Sequence, residues 1–461
     1  MKIEDNKYIE FVNYSPDDDD RKMARKKKKR WAKVKAVLLI LVLIGLVAGG
    51  VLYLPKIIEK QKPVEVPQVV ASTSDGEEVV ADEIRDVLDN LTDDEEEIVV
   101  TEPEEPEPTA AELNDAMLTE RINEMTLEEK VMGLFIVRPE QITGVGKVVQ
   151  AGDGTKEAVS KYPVGGILYS SQNIVSKEQF KEMITNTKGF VKYPTFFVLH
   201  EELGNTVLAK ALSLAATRSE SKLGETMDPF QASVDSAVVA TYLSEYGINL
   251  NLGLIGDTVS EGDETSLMGE RSFGSDPVVV SRMVYESIGA FKAKDVPVAM
   301  GMFPGQGQID NNPSETVANT PISKEDLQKD YTIYVSAVEA GLSAIVVSHE
   351  YAENITSDKM PCSLSKEIYT DIIREEMGLS DVILITDELD KAAISQYYTS
   401  AEACVTALKA GADMLMCPEN LDEAFEAILE AIKTGVISEE RINDALKRIY
   451  RIKLCNELLT E

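Results

Sequence analysis

Val382-Ile383-Leu384-Ile385-Thr386-Asp387-Glu388-Leu389 is the stretch on which the reading of this chain turns. Its apolar run follows Ser380-Asp381 and gives way to acids, the pattern of a strand buried on both faces. In a parallel α/β barrel the C-terminal ends of the strands carry the chemistry. Asp387 is therefore the first candidate for a reacting group. A plainer reading is also open: Asp387 to Asp390 caps the next helix, with acids on its dipole.

Working outward, seven more apolar runs precede or follow this one, at 131–137, 165–169, 195–199, 248–252, 296–303, 344–347 and 412–416. Between them lie amphipathic segments at 118–130, 234–246, 279–292, 324–340, 365–376 and 400–410. Eight strands with intervening helices over 113–461 predict a (β/α)8 TIM-type barrel. An open doubly wound sheet is the alternative, but no glycine-rich dinucleotide turn follows the first strand. Residues 421–453 read as two closing helices joined by Gly435-Val436-Ile437-Ser438, with Ser438 as N-cap.

Upstream the composition changes. Residues 1–35 are polar and include the run Arg25-Lys26-Lys27-Lys28-Lys29-Arg30. Residues 36–54, AVLLILVLIGLVAGGVLYL, contain no charge, a length that spans a bilayer core of about 30 Å. A basic tail before an apolar span places the N-terminus in the cytoplasm and the barrel outside it. A cleaved signal peptide fits less well, because the polar region before the span is long and no small-residue cleavage site follows. Residues 55–112 are acidic and proline-punctuated, as in Glu102-Pro103-Glu104-Glu105-Pro106, and read as a disordered stalk.

The net charge of −34 argues against a nucleic-acid partner, which needs a basic face. With only two histidines, His200 and His349, and four scattered cysteines, no metal site is expected. No cofactor motif is present either.

Several stretches together resemble the N-terminal domain of glycoside hydrolase family 3, in its bacterial β-N-acetylhexosaminidase branch. They include Met125-Thr126-Leu127-Glu128-Glu129-Lys130, Gly165-Gly166-Ile167-Leu168 and Gly247-Ile248-Asn249-Leu250-Asn251. The most specific is Gly269-Glu270-Arg271-Ser272-Phe273-Gly274-Ser275-Asp276-Pro277, followed by Phe303-Pro304-Gly305-Gln306-Gly307 and Val347-Ser348-His349. Ala407-Leu408-Lys409-Ala410-Gly411-Ala412-Asp413 and the helix carrying Arg441, Arg448 and Lys453 complete the set.

The resemblance implies a retaining glycosidase acting on amino-sugar glycan or a peptidoglycan fragment. Asp387 stands at the nucleophile position, and Arg271, His349, Glu202 and His200 at substrate-binding positions. It also exposes departures. The family's Lys-His pair before Phe-Pro-Gly is Gly301-Met302, and the histidine after it is Gln306. The sugar-binding turn reads His200-Glu201-Glu202-Leu203-Gly204-Asn205, without its Asp and Arg. In the acid/base loop, Asp310 matches the family aspartate, but Asn312 stands where the histidine should be. Asparagine cannot give and retrieve a proton near neutral pH. Two readings follow: an active hydrolase with a replacement donor among Glu201, Glu202, Asp310 and Glu350, or a degenerate barrel that binds wall glycan or a protein partner without turnover.

Overall fold

Each of the eight apolar runs becomes a strand in the computed structural model, which describes residues 108–260, 266–455 and 457–458. The basic tail (1–35), the apolar span (36–54) and nearly all of the stalk (55–112) lie outside the described residues. Among those described, no helix is long and apolar enough to cross a membrane.

The strands are β1 (Phe135–Val137), β2 (Gly166–Leu168), β3 (Phe196–Leu199), β4 (Leu250–Ile255), β5 (Val298–Phe303), β6 (Ala344–Val347), β7 (Ile383–Thr386) and β8 (Leu415–Met416). They pair in parallel in the order β8-β1-β2-β3-β4-β5-β6-β7. The seam between β7 and β8 is held by a bridge from Ile385 to Met414. Across it, Leu389 N donates to Met416 O at 2.8 Å and Met416 N to Thr386 Oγ1 at 3.0 Å. The sheet is a barrel, with helices such as Pro229–Glu245, Pro277–Lys292, Lys324–Ala340 and Ser400–Ala410 outside it. Every strand residue is buried, as continuous apolar runs in an all-parallel sheet require.

Several expected boundaries move, among them the strand expected at 412–416, which shrinks to β8. The helix expected at 118–130 is two helices, Ala110–Asn123 and Leu127–Met132. The break is made by Thr126, whose hydroxyl accepts from Glu129 N while the Glu129 carboxylate accepts from Thr126 N. Such a capping box starts a new helix rather than continuing one. Val131 and Met132 thereby become helical, and the strand expected at 131–137 shrinks to β1. The strand expected at 248–252 instead runs from Leu250 to Ile255, because Asn249 is used sideways. Its Oδ1 accepts from Phe197 N at 2.6 Å and its Nδ2 donates to Thr195 O at 3.2 Å.

Two side-chain devices on β4 seat the turn after β3. Asn251 Oδ1 accepts from Glu201 N at 3.0 Å, and Asn251 Nδ2 donates to Glu201 O at 3.2 Å. Gly253 lies so close that a Cβ there would stand 2.3 Å from the Glu201 carbonyl carbon. Only glycine allows that approach. The result is a small hairpin, Glu201–Glu202 against Asn205–Thr206, fixed at the C-terminal mouth.

Candidate functional site

Asp387 follows β7 directly and is 1% exposed. It is not a helix cap: the next helix, Ala392–Ser395, begins five residues later with Lys391 at the N-cap position. Its Oδ1 accepts from Glu388 N at 2.8 Å, and Lys391 Nζ lies 2.9 Å from Oδ1 and 2.8 Å from Oδ2. Burial alone would push its pKa up, but the Lys391 ammonium and the backbone donor hold it at about 2. Asp387 is a carboxylate at any physiological pH, and both its oxygens are occupied.

His349, after β6, is fully buried beneath it. Its Nε2 faces Glu388 O at 2.9 Å and its Nδ1 faces Ser363 Oγ at 2.7 Å. A carbonyl only accepts, so Nε2 carries the proton and Nδ1 receives the Ser363 hydroxyl. Burial lowers the pKa of His349, so the ring is neutral near pH 7 and Lys391 supplies the positive charge. Both nitrogens serve the protein; His349 orients the Asp387 loop and offers nothing to a sugar directly.

Arg271 forms a two-pronged pair with Glu202, Nε to Oε2 at 2.8 Å and Nη2 to Oε1 at 2.6 Å. The two expected sugar-binding residues thus bind each other, on the side of an open cleft of about 990 Å³ lined by Asn205, Lys210, Ser219, Lys222 and Glu270. His200 is half-buried and makes no side-chain hydrogen bond to the other described residues. Glu201 points inward, accepting from Leu208 N at 2.5 Å and Tyr242 Oη at 3.0 Å, and burial raises its pKa to about 7.

Asp310 is exposed and closes its own loop, accepting from Asn319 N at 2.7 Å and Asn319 Nδ2 at 3.0 Å. Those bonds lower its pKa, so it is a poor proton donor. Asn312 is likewise taken up locally: its Oδ1 accepts from Ser314 N at 3.0 Å and its Nδ2 donates to Glu315 at 3.3 Å. The loop is pinned on the segment after Asp387 by Ala393 N to Pro313 O, 3.1 Å.

Four residues that shape the site escaped the sequence reading. Arg138, after β1, grips the Asp387 loop through Glu388 at 2.6 Å and Asp390 at 2.5 Å. Asp257, after β4 and fully buried, accepts from Met302 N at 2.9 Å and Gln306 N at 2.6 Å. Burial raises its pKa to about 6. Glu220 is buried with Oε2 unpartnered, and its burial pushes its pKa well up. Lys391 is the fourth. Strand-end position was the only available signal, and it marks Arg138 and Asp257 but not the other two.

Glu350, one of the residues considered as a replacement donor, is a neutral acid near pH 7. Burial raises its pKa to about 8, and the hydrogen bonds agree. Ser348 Oγ lies 3.0 Å from Phe303 O and 2.5 Å from Glu350 Oε2. One hydroxyl has one proton, and the carbonyl can only accept; both contacts are made together when Glu350 donates.

The sequence model described as the N terminal domain of glycosyl hydrolase family 3 matches residues 126–452. Beta-hexosaminidase A of Pseudoalteromonas piscicida is 21% identical over 327 residues, 64% of this chain and 54% of that one. The chain thus spans about half the length of that curated relative. Among solved structures, a family 3 β-N-acetylglucosaminidase from Paenibacillus sp. str. FPU-7 aligns with a TM-score of 0.66 at 24% identity, covering 73% of this chain and 64% of that one. LpqI of Mycobacterium tuberculosis aligns at 0.63 and 22% identity, covering 73% of this chain and 96% of the other. With the family model running from the Thr126 cap to the last helix, the chain belongs to glycoside hydrolase family 3.

Proposed function

We propose that this protein is a membrane-anchored, extracytoplasmic O-glycosyl hydrolase of the β-N-acetylhexosaminidase type, acting on amino-sugar glycan by a retaining mechanism. The observation that carries the chemistry is Asp387, a carboxylate held ionised at about pKa 2 at the C-terminal end of β7. Relatives named as β-hexosaminidases supply the substrate class. The apolar composition of residues 36–54 supports the anchor, and the basic run before them the orientation.

In a retaining route one carboxylate attacks the anomeric carbon and a second group protonates the leaving oxygen. Asp387 fills the first role once Lys391 moves off its solvent side. For the second, Asn312 has no proton to give and Asp310 is held as an anion by Asn319. Loss of a general acid costs about 10²–10⁴-fold, a cost that falls on poor leaving groups. Turnover is therefore slow on natural glycan and measurable on aryl glycosides, whose phenolate leaves without help.

The test is hydrolysis of 4-methylumbelliferyl N-acetyl-β-glucosaminide by wild type and Asp387→Ala. Release by wild type that disappears in the variant supports the reading; silence from wild type across a panel of aryl glycosides ends it. A second reading, glycan binding without turnover, is favoured by the doubly occupied Asp387 and the pinned Asp310 loop. It predicts that silence, together with retention of the protein on insoluble amino-sugar polymer.

A further inference from the structure

The nucleophile position is met by a lysine from its own loop. Lys391 stands four residues after Asp387, and its ammonium reaches both carboxylate oxygens at 2.8–2.9 Å. Its side chain is 21% exposed against 1% for Asp387, so it forms the solvent side of the pair. A carboxylate attacks through a lone pair on one oxygen, and here a single cation covers both. Each oxygen keeps a further lone pair, but Asp387 is 1% exposed with the ammonium on its solvent side, so a sugar reaches it only when the ammonium moves aside.

Where it can go is restricted by its neighbours. Glu388 Oε2 lies 3.9 Å from Lys391 Nζ, but that carboxylate is already held by Arg138 at 2.6 Å. Glu202 is filled by Arg271 through both oxygens. Asp390 is taken by the other prong of Arg138. His349 below is neutral and has no free acceptor for the ammonium. Among the described residues, these three carboxylates each have a guanidinium partner already. A neutral sugar brings no alternative partner for Lys391, whereas a sugar with an anionic substituent does.

We propose that Lys391 determines which sugars this site processes: it covers Asp387 until a sulfate or carboxylate on the amino sugar draws the ammonium away. The inference rests on the reading of Asp387 as the attacking carboxylate, and it narrows the substrate class to anionic amino-sugar glycans. Arg271 and Arg138 are less free to serve, since each already makes a two-pronged contact with protein carboxylates. A lysine suits the task, being a point charge on a long, flexible stem rather than a fixed fork.

The experiment compares 4-methylumbelliferyl N-acetyl-β-glucosaminide with its 6-sulfated form, in wild type, Lys391→Met and Lys391→Gln. The two glycosides share leaving group and ring and differ by one anion. Wild type is expected to show a kcat at least about tenfold higher on the sulfated glycoside, and in Lys391→Met the unsulfated kcat rises and the ratio falls to about one. Lys391→Gln, which keeps a polar partner for the buried carboxylate, gives the same direction if Lys391→Met folds poorly. A wild-type preference for the neutral glycoside, or an equal fall on both in the variants, overturns the proposal. If no form turns over either glycoside, the hydrolase reading fails by itself, and calorimetry with N-acetylglucosamine and its 6-sulfate decides about Lys391. Binding of the sulfate at least about tenfold tighter in wild type, and lost in Lys391→Met, supports it; equal affinities refute it.

Discussion

Replacing Glu350 by glutamine should make the barrel more stable at pH 7.5 and leave it nearly unchanged at pH 4.5. Glu350 is 0% exposed, and its Oε1 has no partner. Its folded pKa is about 8 against an ordinary value of 4.5. Below pH 4.5 both the folded and the unfolded chain hold the proton, so the group is neutral in the balance. As pH rises from 4.5, the unfolded chain releases the proton while the folded one keeps it. Stability then falls by about 1.4 kcal/mol per pH unit until roughly pH 8, and is flat beyond. By pH 7.5 the loss is on the order of 3–4 kcal/mol. Glutamine has the same shape, never ionises, and its amide donates to Ser348 Oγ as the protonated acid does. The assay is urea unfolding of wild type and Glu350→Gln at pH 4.5, 6 and 7.5. The difference between the two proteins should grow with pH. Two stability profiles that run parallel would refute the reasoning, since they would mean that Glu350 ionises in the folded protein as it does in the unfolded one.

Asp413→Asn should lower stability by roughly 3–5 kcal/mol, the cost of breaking a buried ion pair, because Arg374, Arg448 and Arg441 converge on this 0% exposed carboxylate at 2.7, 3.1 and 3.3 Å. Differential scanning calorimetry reads the effect, and a melting temperature within a degree of wild type contradicts it. Asn312→His alone should leave hydrolysis of unactivated chitobiose within about threefold of wild type, since Asp310, which would orient the new ring, is held by Asn319. Combined with Asn319→Ala it should gain about tenfold or more, and a gain from Asn312→His by itself shows the clasp to be irrelevant.

The eight strands were legible because buried parallel strands write themselves as apolar runs ending in turn residues, and β5, β6 and β7 fall almost where those runs lie. The first helix was misjudged because 118–130 keeps a helical pattern straight through Thr126, and only the reciprocal bond with Glu129 shows that one helix stops and another begins. At the site, Asp387 was legible from strand-end position. The closing of Glu202 by Arg271 was not, because 69 residues separate them and each alone looks available for a sugar. His349, expected at a substrate-binding position, has both ring nitrogens satisfied within the protein instead. Lys391 was passed over because four residues across a strand-to-helix turn have no fixed geometry; the chain had to fold before its ammonium met Asp387.

The β7–β8 seam has a consequence for how this barrel responds to ionic strength. β8 contributes two residues, and between them β7 and β8 share a single bridge beyond the backbone contacts of the flanking turns. What reinforces the seam is charge at both ends: Arg138 on Glu388 and Asp390 above, and the Asp413 cluster below, where Leu384 N also donates at 3.0 Å. The upper pairs are 19–30% exposed on both partners, while below the arginines are 14–24% exposed and the carboxylate they share is sealed. Salt screens partly exposed charges within a Debye length of about 8 Å at physiological strength and reaches sealed ones far less. Added salt should loosen the mouth of the seam, where Asp387 sits, and leave its base intact. Backbone hydrogen exchange at Leu389 and Met416 should then quicken with salt while that at Leu384 does not, so that the ion content of the medium acts on the site without acting on the fold.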